Sequence, residues 1–418
     1  MPSFRFLHCA DLHLDSPLQG LEADPDAPAA RIRDATRHAF AAIVSFAIEQ
    51  KIDFILAAGD LYDQDWQDWR TGQFLIRELG RLDRAGIPFI AIRGNHDAEN
   101  VITRRLEFPG TAKLLRATRP ESHRIPHLNV AIHGQSFASR SVADNLSRNY
   151  PAPEAGHFNI GLLHTNLDGD ARHDNYAPSN SHDLNHHGYD YWALGHIHTR
   201  VMTGPDPWIV YPGNIQGRHI RETGPKGAVL VTVTDGGIAT PPAFIPFDTV
   251  RWAHLSIDLT HVTDLESALR AARQPLRDAL EEAESRLLCA RVQFTGATQA
   301  HAALNRDPGE TRERLKAEAL SLATQDDVWI EDVIIQTSPP ADRQPLDPAP
   351  AIPLDIDPSD DVHASAASYA KDLLDRVAGL RAALGDTHPA LAAAEGRIPQ
   401  ALLDRAKALL SAHLATDA

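Results

Sequence analysis

Five short apolar runs in the first half of the chain each stop at a residue that can bind a metal ion. Phe4–His8 leads into "ADLHLD", Asp53–Ala58 into "GDLYD", and Ile87–Ile92 into "RGNHDAEN". Phe158–Leu163 leads into "HTN" and Asp190–Leu194 into "GHIH". Apolar runs of this length, bounded by polar and glycine-rich segments, read as buried strands. Between the first two runs, Ile32, Ala35, Ala39, Ile43 and Phe46 recur at helical spacing. Leu75, Leu79 and Leu82 do the same within a helix expected over about 70–84. This alternation predicts an α/β fold with sheet layers covered by helices. In open α/β sheets, sites form beyond the carboxyl ends of strands, so five strand ends should converge on one crevice.

The residues at those ends are Asp11, His13, Asp60, Asn95, His164, His196 and His198. Oxygen and imidazole donors without a thiolate suit manganese, iron or zinc better than a calcium cage. The set is too large for one ion and fits two ions sharing a carboxylate. His196 and His198 sit at i and i+2, so in extended chain both rings face the same way. Gly59, Gly94 and Gly195 each precede a ligand and are expected where the backbone turns sharply. A lone histidine in an apolar strand is usually a satisfied core residue, which is the reading given to His8 and His133. Asp15 is expected to cap or hydrogen-bond locally, and Cys9 to be a buried thiol.

The order Asp-x-His, Gly-Asp, Gly-Asn-His-Asp, His, Gly-His-x-His resembles the calcineurin-like binuclear metallophosphoesterases over roughly residues 4–235. The phrases "HCADLHLDSPL", "GDLYD", "YDYWALGHIH" and "YPGNIQGR" look most like the DNA-repair exonuclease branch of SbcD and YhaO type. The resemblance implies a metallophosphoesterase β-sandwich flanked by helices. It implies that Asp11, His13, Asp60 and His198 hold a first ion. Asp60, Asn95, His164 and His196 would hold a second, with Asp60 bridging. Manganese is the expected metal, and the chemistry is in-line attack on phosphorus by water activated between the ions. His96 would protonate the leaving alkoxide or stabilise the transition-state charge, and Asp97 would orient His96. One position departs from the pattern. Some nuclease members carry a histidine where this chain has Asp63, which weakens the transfer of exonuclease specificity but not of the phosphoesterase chemistry.

Composition bounds the partners. The chain has 418 residues, 43% hydrophobic and 23% charged, enough for two or three globular domains. A net charge of −16 argues against broad, salt-driven nucleic-acid binding, although bound cations can reverse the field locally. Arg218 and Arg93 are therefore candidate phosphate contacts, with Arg221, Arg104 and Arg105 nearby in sequence. "HDNYAP", residues 173–178, is a candidate groove-lining loop. Two distant cysteines make no disulfide framework, no run is long enough to span a membrane, and the first residues do not read as a secretory signal. A cytoplasmic protein is expected.

Residues 1–258 are expected to form the metallophosphoesterase domain and 259–337 a smaller α+β accessory domain. In the latter, Thr263 and Glu266 form a capping-box pattern, Pro275 should kink or restart the helix, and "DPGE" at 307–310 should open another. Strands are expected over Leu287–Phe294 and Val328–Ile335. Residues 338–361 are rich in Pro and Asp and read as a linker, and 362–418 as a helical tail with two amphipathic helices. The resemblance implies duplex DNA ends as substrate. The tail helices are expected either to dock on their own protein or to bind an SbcC-like coiled-coil ATPase, and a homodimer is a candidate assembly. Two alternatives stand beside the nuclease. One is the same chemistry on small phosphodiesters, nucleotides or phosphomonoesters. The other is a scaffold that has lost catalysis, disfavoured because no ligand is missing.

Overall fold

The computed structural model describes residues 1–17, 27–63, 69–98, 108–169, 176–324 and 326–340. Arg104, Arg105, the first half of "HDNYAP" and nearly all of the expected linker and tail lie outside these residues.

In chain order the strands are β1 (Phe4–Cys9), β2 (Phe54–Ala58), β3 (Phe89–Ile92), β4 (Ala112–Leu114), β5 (Glu121–Ile125), β6 (Val130–Gly134), β7 (Phe158–His164) and β8 (Tyr191–Gly195). There follow β9 (Val201–Thr203), β10 (Trp208–Tyr211), β11 (Gly227–Thr234), β12 (Gly237–Ile238), β13 (Ala243–Pro246), β14 (Val250–Asp258), β15 (Leu287–Ala297) and β16 (Val328–Ser338). The helices are α1 (Ala29–Glu49), α2 (Trp69–Arg84), α3 (Ser181–His186), α4 (Leu265–Ala271), α5 (Arg273–Glu282), α6 (His301–Arg306) and α7 (Pro308–Leu322).

Chain contacts divide the protein into two units that interleave in sequence. The first comprises Met1–His254, Asp278–Ala290 and Ala323–Glu331. The second comprises Leu255–Arg277, Arg291–Leu322 and, among the described residues, 332–340.

Two sheets build the first unit. One runs β12-β11-β1-β2-β3-β4, with β13 also on β11, and the other β5-β6-β7-β8-β10-β9. Within the first, β1 to β4 are parallel and β11 is antiparallel to β1. Side chains alternate faces along a strand. Phe4, Phe6, Phe54, Leu56, Ile90 and Ile92 therefore face one way and meet Val130, Ile132, Phe158, Ile160, Leu162 and Tyr191 of the other sheet. The intervening residues Leu7, Cys9, Ile55, Ala57, Phe89 and Ala91 face the opposite way and pack on Phe40, Ile43 and Val44 of α1 and Leu75 and Leu79 of α2. The outer face of the second sheet, with Leu163, Trp192 and Leu194, is covered by Leu184 of α3 and by Phe137, Leu146 and Tyr150. The order is helix, sheet, sheet, helix. Strands buried on both faces read as unbroken apolar runs, which is why they stand out in the sequence. Each fully buried Leu, Ile or Phe contributes about 1.5–3 kcal/mol of transfer free energy.

The second unit is α+β. Here the expected cap moves by one residue. Asp264, not Thr263, is the N-cap of α4, and it accepts from the Ser267 amide at 2.9 Å. A carboxylate caps at least as well as a threonine hydroxyl. A new helix, α5, begins at Arg273 with Pro275 in its first turn, where a missing amide hydrogen costs nothing. Asp307 accepts from the Glu310 amide at 2.9 Å and starts α7. Arg273 pairs with Glu318 at 2.6 Å, and Arg314 pairs with Glu266. Among the described residues, no helix is long and apolar enough to cross a membrane.

Candidate metal centre

The five strand ends come from both sheets: β1, β2 and β3 from one, β7 and β8 from the other. The parallel pairing of β1 and β2 continues past their ends. The Asp11 amide donates to Gly59 O at 3.1 Å, and the His13 amide to Asp60 O at 3.0 Å. The two loops thus travel together and carry Asp11 and His13 alongside Asp60. On the other sheet, the Thr165 amide donates to Gly195 O at 3.1 Å, tying His164 to the "GHIH" turn.

The backbone at these ends is strained. Asp11, His13, Asp60 and His196 have φ of 50°, 42°, 48° and 101°. L-residues seldom adopt positive φ, and such positions cluster at functional sites. The glycines work differently from the expected sharp turns. Only Gly59, at φ 93°, lies in the left-handed region. Gly94 and Gly195 are required by close approach instead. A Cβ on Gly94 would lie 2.2 Å from Asp60 Oδ1, and one on Gly195 1.9 Å from Ala58 O.

Two groups of donors face each other. His13 Nε2 and His198 Nε2 are 3.1 Å apart, and Asp11 lies within 4.8 Å of both. His164 Nε2 is 3.0 Å from Asn95 Oδ1. Asp60 Oδ2 reaches both groups, 3.8 Å from His13 Nε2 and 3.5 Å from His164 Nε2. Its other oxygen accepts from the His96 amide at 3.0 Å. The His196 ring is 5.2 Å from that of His164, centroid to centroid, and its amide donates to both Asp11 oxygens, at 3.0 and 3.1 Å.

Hydrogen bonds fix the tautomers. His164 Nδ1 is 2.8 Å from Ala58 O, which can only accept, so Nδ1 carries the hydrogen and Nε2 presents a lone pair. That lone pair faces the acceptor Asn95 Oδ1. His198 Nδ1 faces an acceptor, Glu222 Oε1 at 2.8 Å, and a donor, Arg218 Nη2 at 3.2 Å; the shorter contact favours a hydrogen on Nδ1, leaving its Nε2 facing His13. A carboxylate behind a histidine is the usual companion of a metal-bound imidazole.

The electrostatics suit a site that binds positive charge. Burial, then the Asp60 charge, push the Asp11 carboxyl well above its ordinary range. Burial pushes the His13 and His164 imidazoles down to about 3, so both are neutral donors. Neutral imidazoles, repelling buried carboxylates and lone pairs directed at each other fit divalent cations.

His96 and Asp97 are separated by the fold. The Asp97 carboxylate accepts from three backbone amides, Leu61, Tyr62 and Gly94, each at 3.0 Å. It braces the two loops rather than the imidazole. The carboxylate at the His96 ring is Asp63, whose Oδ1 is 2.8 Å from Nδ1. Asp63 also meets Ser16 Oγ and, at 3.1 Å, Arg218 Nη1. Burial disfavours the charge on Asp63, but its contacts with His13 and His96 outweigh that and hold it far below the usual carboxylate range. Burial likewise opposes a proton on His96, yet Asp63 and Asp60 leave its affinity raised.

Arg218, expected at a phosphate, is brought to the centre but engaged by protein carboxylates. Its Nη2 is 2.8 Å from Glu222 Oε1, and its side chain is 12% exposed. Arg93 donates its amide to Ser136 Oγ at 2.9 Å, beside the Gly94 turn. Asp15 pairs not locally but with Arg37 of α1, at 2.6 Å, and with Thr71 of α2. Glu222 went unremarked in the sequence. Its position in "RHIRETG" resembles an exposed charged turn, and only the fold shows it 5% exposed behind His198.

Residues 4–200 match the family model described as calcineurin-like phosphoesterase. Residues 252–338 match the middle domain of metallophosphoesterase YhaO. Over 264 residues the chain is 37% identical to the uncharacterized metallophosphoesterase YhaO of Bacillus subtilis, covering 62% of this chain and 64% of that protein. It is 29% identical over 249 residues to the DNA double-strand break repair protein Mre11 of Sulfurisphaera tokodaii, covering 55% of this chain and 60% of that one. For the protein of that name from Methanopyrus kandleri, identity is 25% over 292 residues, with 60% and 57% covered. The chain thus spans less than two thirds of the length of each of these relatives.

Proposed function

On the premise that residues 4–200 are a calcineurin-like metallophosphoesterase domain, we propose that the protein is a two-metal-dependent phosphodiesterase that hydrolyses DNA as an SbcD-like exonuclease. The observation that carries this reading is the pair of facing donor groups, His13 with His198 and His164 with Asn95, both within reach of Asp60 Oδ2. Asp11, His13, Asp60 and His198 would hold one divalent ion. Asp60, Asn95, His164 and His196 would hold the other, and manganese suits the set. When bound, the ions supply positive charge to the phosphate oxygens and acidify water.

The protein's own residues do the rest. His96, 23% exposed beside Asp63, donates a proton to the leaving alkoxide through the ring nitrogen that Asp63 does not occupy. Asp63 supports the charged imidazole before transfer. Asp97 keeps the Gly59–Tyr62 and Gly94–Asp97 turns in register. The 259–337 segment serves as an accessory domain for holding the duplex, and residues 362–418 take an SbcC-like ATPase. The names of the archaeal relatives, double-strand break repair proteins, support DNA as the substrate.

A second reading, hydrolysis of small phosphodiesters or nucleotides, is favoured by one observation. Asp63 puts a carboxylate where a nuclease histidine would meet a nucleic-acid phosphate, in a chain of net charge −16. Comparing manganese-dependent digestion of end-labelled duplex DNA with hydrolysis of a small chromogenic phosphodiester separates the two. Trimming of ends that requires manganese supports the nuclease. Turnover of the small ester alone supports the second reading.

A further inference from the structure

The segment "YPGNIQGRHIRETG", residues 211–224, is a brace that is buried over 211–217 and again at Glu222. Asn214 pairs with Ala10 in a parallel bridge, next to the ligand Asp11. Gln216 holds the same segment to β14, donating to Val250 O at 2.7 Å and accepting from the Thr249 amide at 2.8 Å. Trp252 Nε1 donates to Gly217 O at 2.9 Å. Inside this brace Glu222 is saturated. Its Oε2 accepts from Asn214 Nδ2 at 2.9 Å and from the Arg218 amide at 2.8 Å. Its Oε1 meets His198 Nδ1 and Arg218 Nη2, each at 2.8 Å. The other arm of the same guanidinium, Nη1, is 3.1 Å from Asp63 Oδ2, and the other oxygen of Asp63 is 2.8 Å from His96 Nδ1.

One guanidinium therefore divides its fork between two carboxylates, and each carboxylate stands behind a different histidine. We propose that Arg218 is a positioning residue that sets the orientation of both the metal ligand His198, through Glu222 and its own Nη2 at 3.2 Å from His198 Nδ1, and the proton donor His96, through Asp63, and is not a substrate-binding arginine. The inference rests on the phosphodiesterase reading for the role of His96, while the part concerning His198 stands on metal binding alone.

The geometry requires an arginine. Two hydrogen-bonding arms at a fixed angle reach two acceptors at once, whereas a lysine ammonium is a point charge on a flexible stem. Both carboxylates are secluded, with side chains 10% (Asp63) and 6% (Glu222) exposed. Removing the cation between them leaves two like charges facing each other with little solvent to screen them. Each would move, and each would take its histidine along. Loss of such support behind a ligand typically costs about 10- to 100-fold in metal affinity.

Arg218→Met and Arg218→Lys in the full chain provide the test, with two readouts. The first is manganese affinity by calorimetry and by electron paramagnetic resonance of free Mn²⁺, with no substrate present. Arg218→Met should weaken one of the two ions by about 10- to 100-fold, with Arg218→Lys intermediate. The second is turnover of a small phosphodiester at saturating manganese. Here kcat should fall at least tenfold while KM changes less than twofold. A raised KM with unchanged kcat and unchanged manganese affinity would assign Arg218 to the substrate and overturn the proposal. Should Arg218→Met fail to fold, Arg218→Lys with Glu222→Gln carries the same comparison, and unchanged metal affinity in both would equally overturn it. If wild type hydrolyses no phosphodiester, the phosphodiesterase reading falls. The manganese titration then still decides the claim about His198.

Discussion

Asp63 Oδ1 stands 2.8 Å from Nδ1 of His96, and Asp97, adjacent to His96 in sequence, bonds only to backbone amides among the contacts resolved for its carboxylate. Adjacent residues in a tight turn point in different directions. A carboxylate 33 positions earlier can therefore be closer to the imidazole than the next side chain. This exchange of roles separates two substitutions that look alike in sequence.

Asp63→Asn should strike turnover. Supporting a general acid is worth part of the roughly 10²–10⁴-fold such acids contribute, so kcat should fall by about 10- to 100-fold. Asp63 is among the groups that raise the proton affinity of His96 against the effect of burial. Removing it lowers that affinity, so the alkaline limb of the kcat profile should move to lower pH. A pH–rate profile at saturating manganese measures this. An unmoved limb would contradict the pairing.

Asp97→Asn should strike stability first. An amide has one acceptor oxygen where the carboxylate uses two, so at least one buried amide loses its partner, at a cost of about 1–3 kcal/mol. Urea unfolding should show a lower midpoint with unchanged slope. With manganese saturating, the kcat of the folded fraction should fall less than in Asp63→Asn.

Gly195→Ala tests the seam between the sheets. The added Cβ would meet Ala58 O at 1.9 Å, a backbone atom of the opposite sheet. Forcing β2 and β8 apart should cost about 1–3 kcal/mol or more and weaken manganese binding, because Asp60 and His196 follow directly on each side. Thermal melts with and without manganese would show both effects.

Acid stability depends on histidines that bind no metal. His8 Nε2 is 3.2 Å from Leu194 O and Nδ1 is 3.0 Å from Tyr191 Oη, so the ring donates to one and accepts from the other. Burial lowers its pKa from 6.5 to about 3. The unfolded chain binds this proton at pH 6.5 and the folded chain does not. Stability is therefore full above pH 6.5 and is lost as pH falls toward 3, by up to about 1.4 kcal/mol per pH unit from this one group. His8→Gln, which can keep both hydrogen bonds, should unfold with a shallower acid dependence between pH 6 and 4. Urea titrations across that range compare the slopes, and equal slopes would contradict the assignment.

What the sequence disclosed follows from which physics is local. Strands buried on both faces must be apolar throughout, so β1, β2, β3, β7 and β8 announce themselves, as do the polar residues at their ends. Short edge strands such as β4, β5, β9 and β12 carry little apolar signal and were not legible. The candidate ligand residues stand out because they lie at the ends of these runs. Their supports do not. Glu222, Asp63 and Arg218 meet only through tertiary structure, across 155 positions in the case of Arg218 and Asp63. A buried charge network looks in sequence like an exposed turn. Sequence adjacency likewise hides that Asp63, rather than Asp97, pairs with the His96 ring, and that Arg218 meets two carboxylates.

On the proposed reading, strand ends from two sheets build two metal positions on either side of Asp60. Anomalous diffraction at the manganese edge, from crystals grown with manganese, tests it most directly. Two peaks are expected, one against His13 and His198 and the other against His164 and Asn95, with Asp60 contacting both. A single peak, or none within reach of the Asp60 carboxylate, would contradict the account.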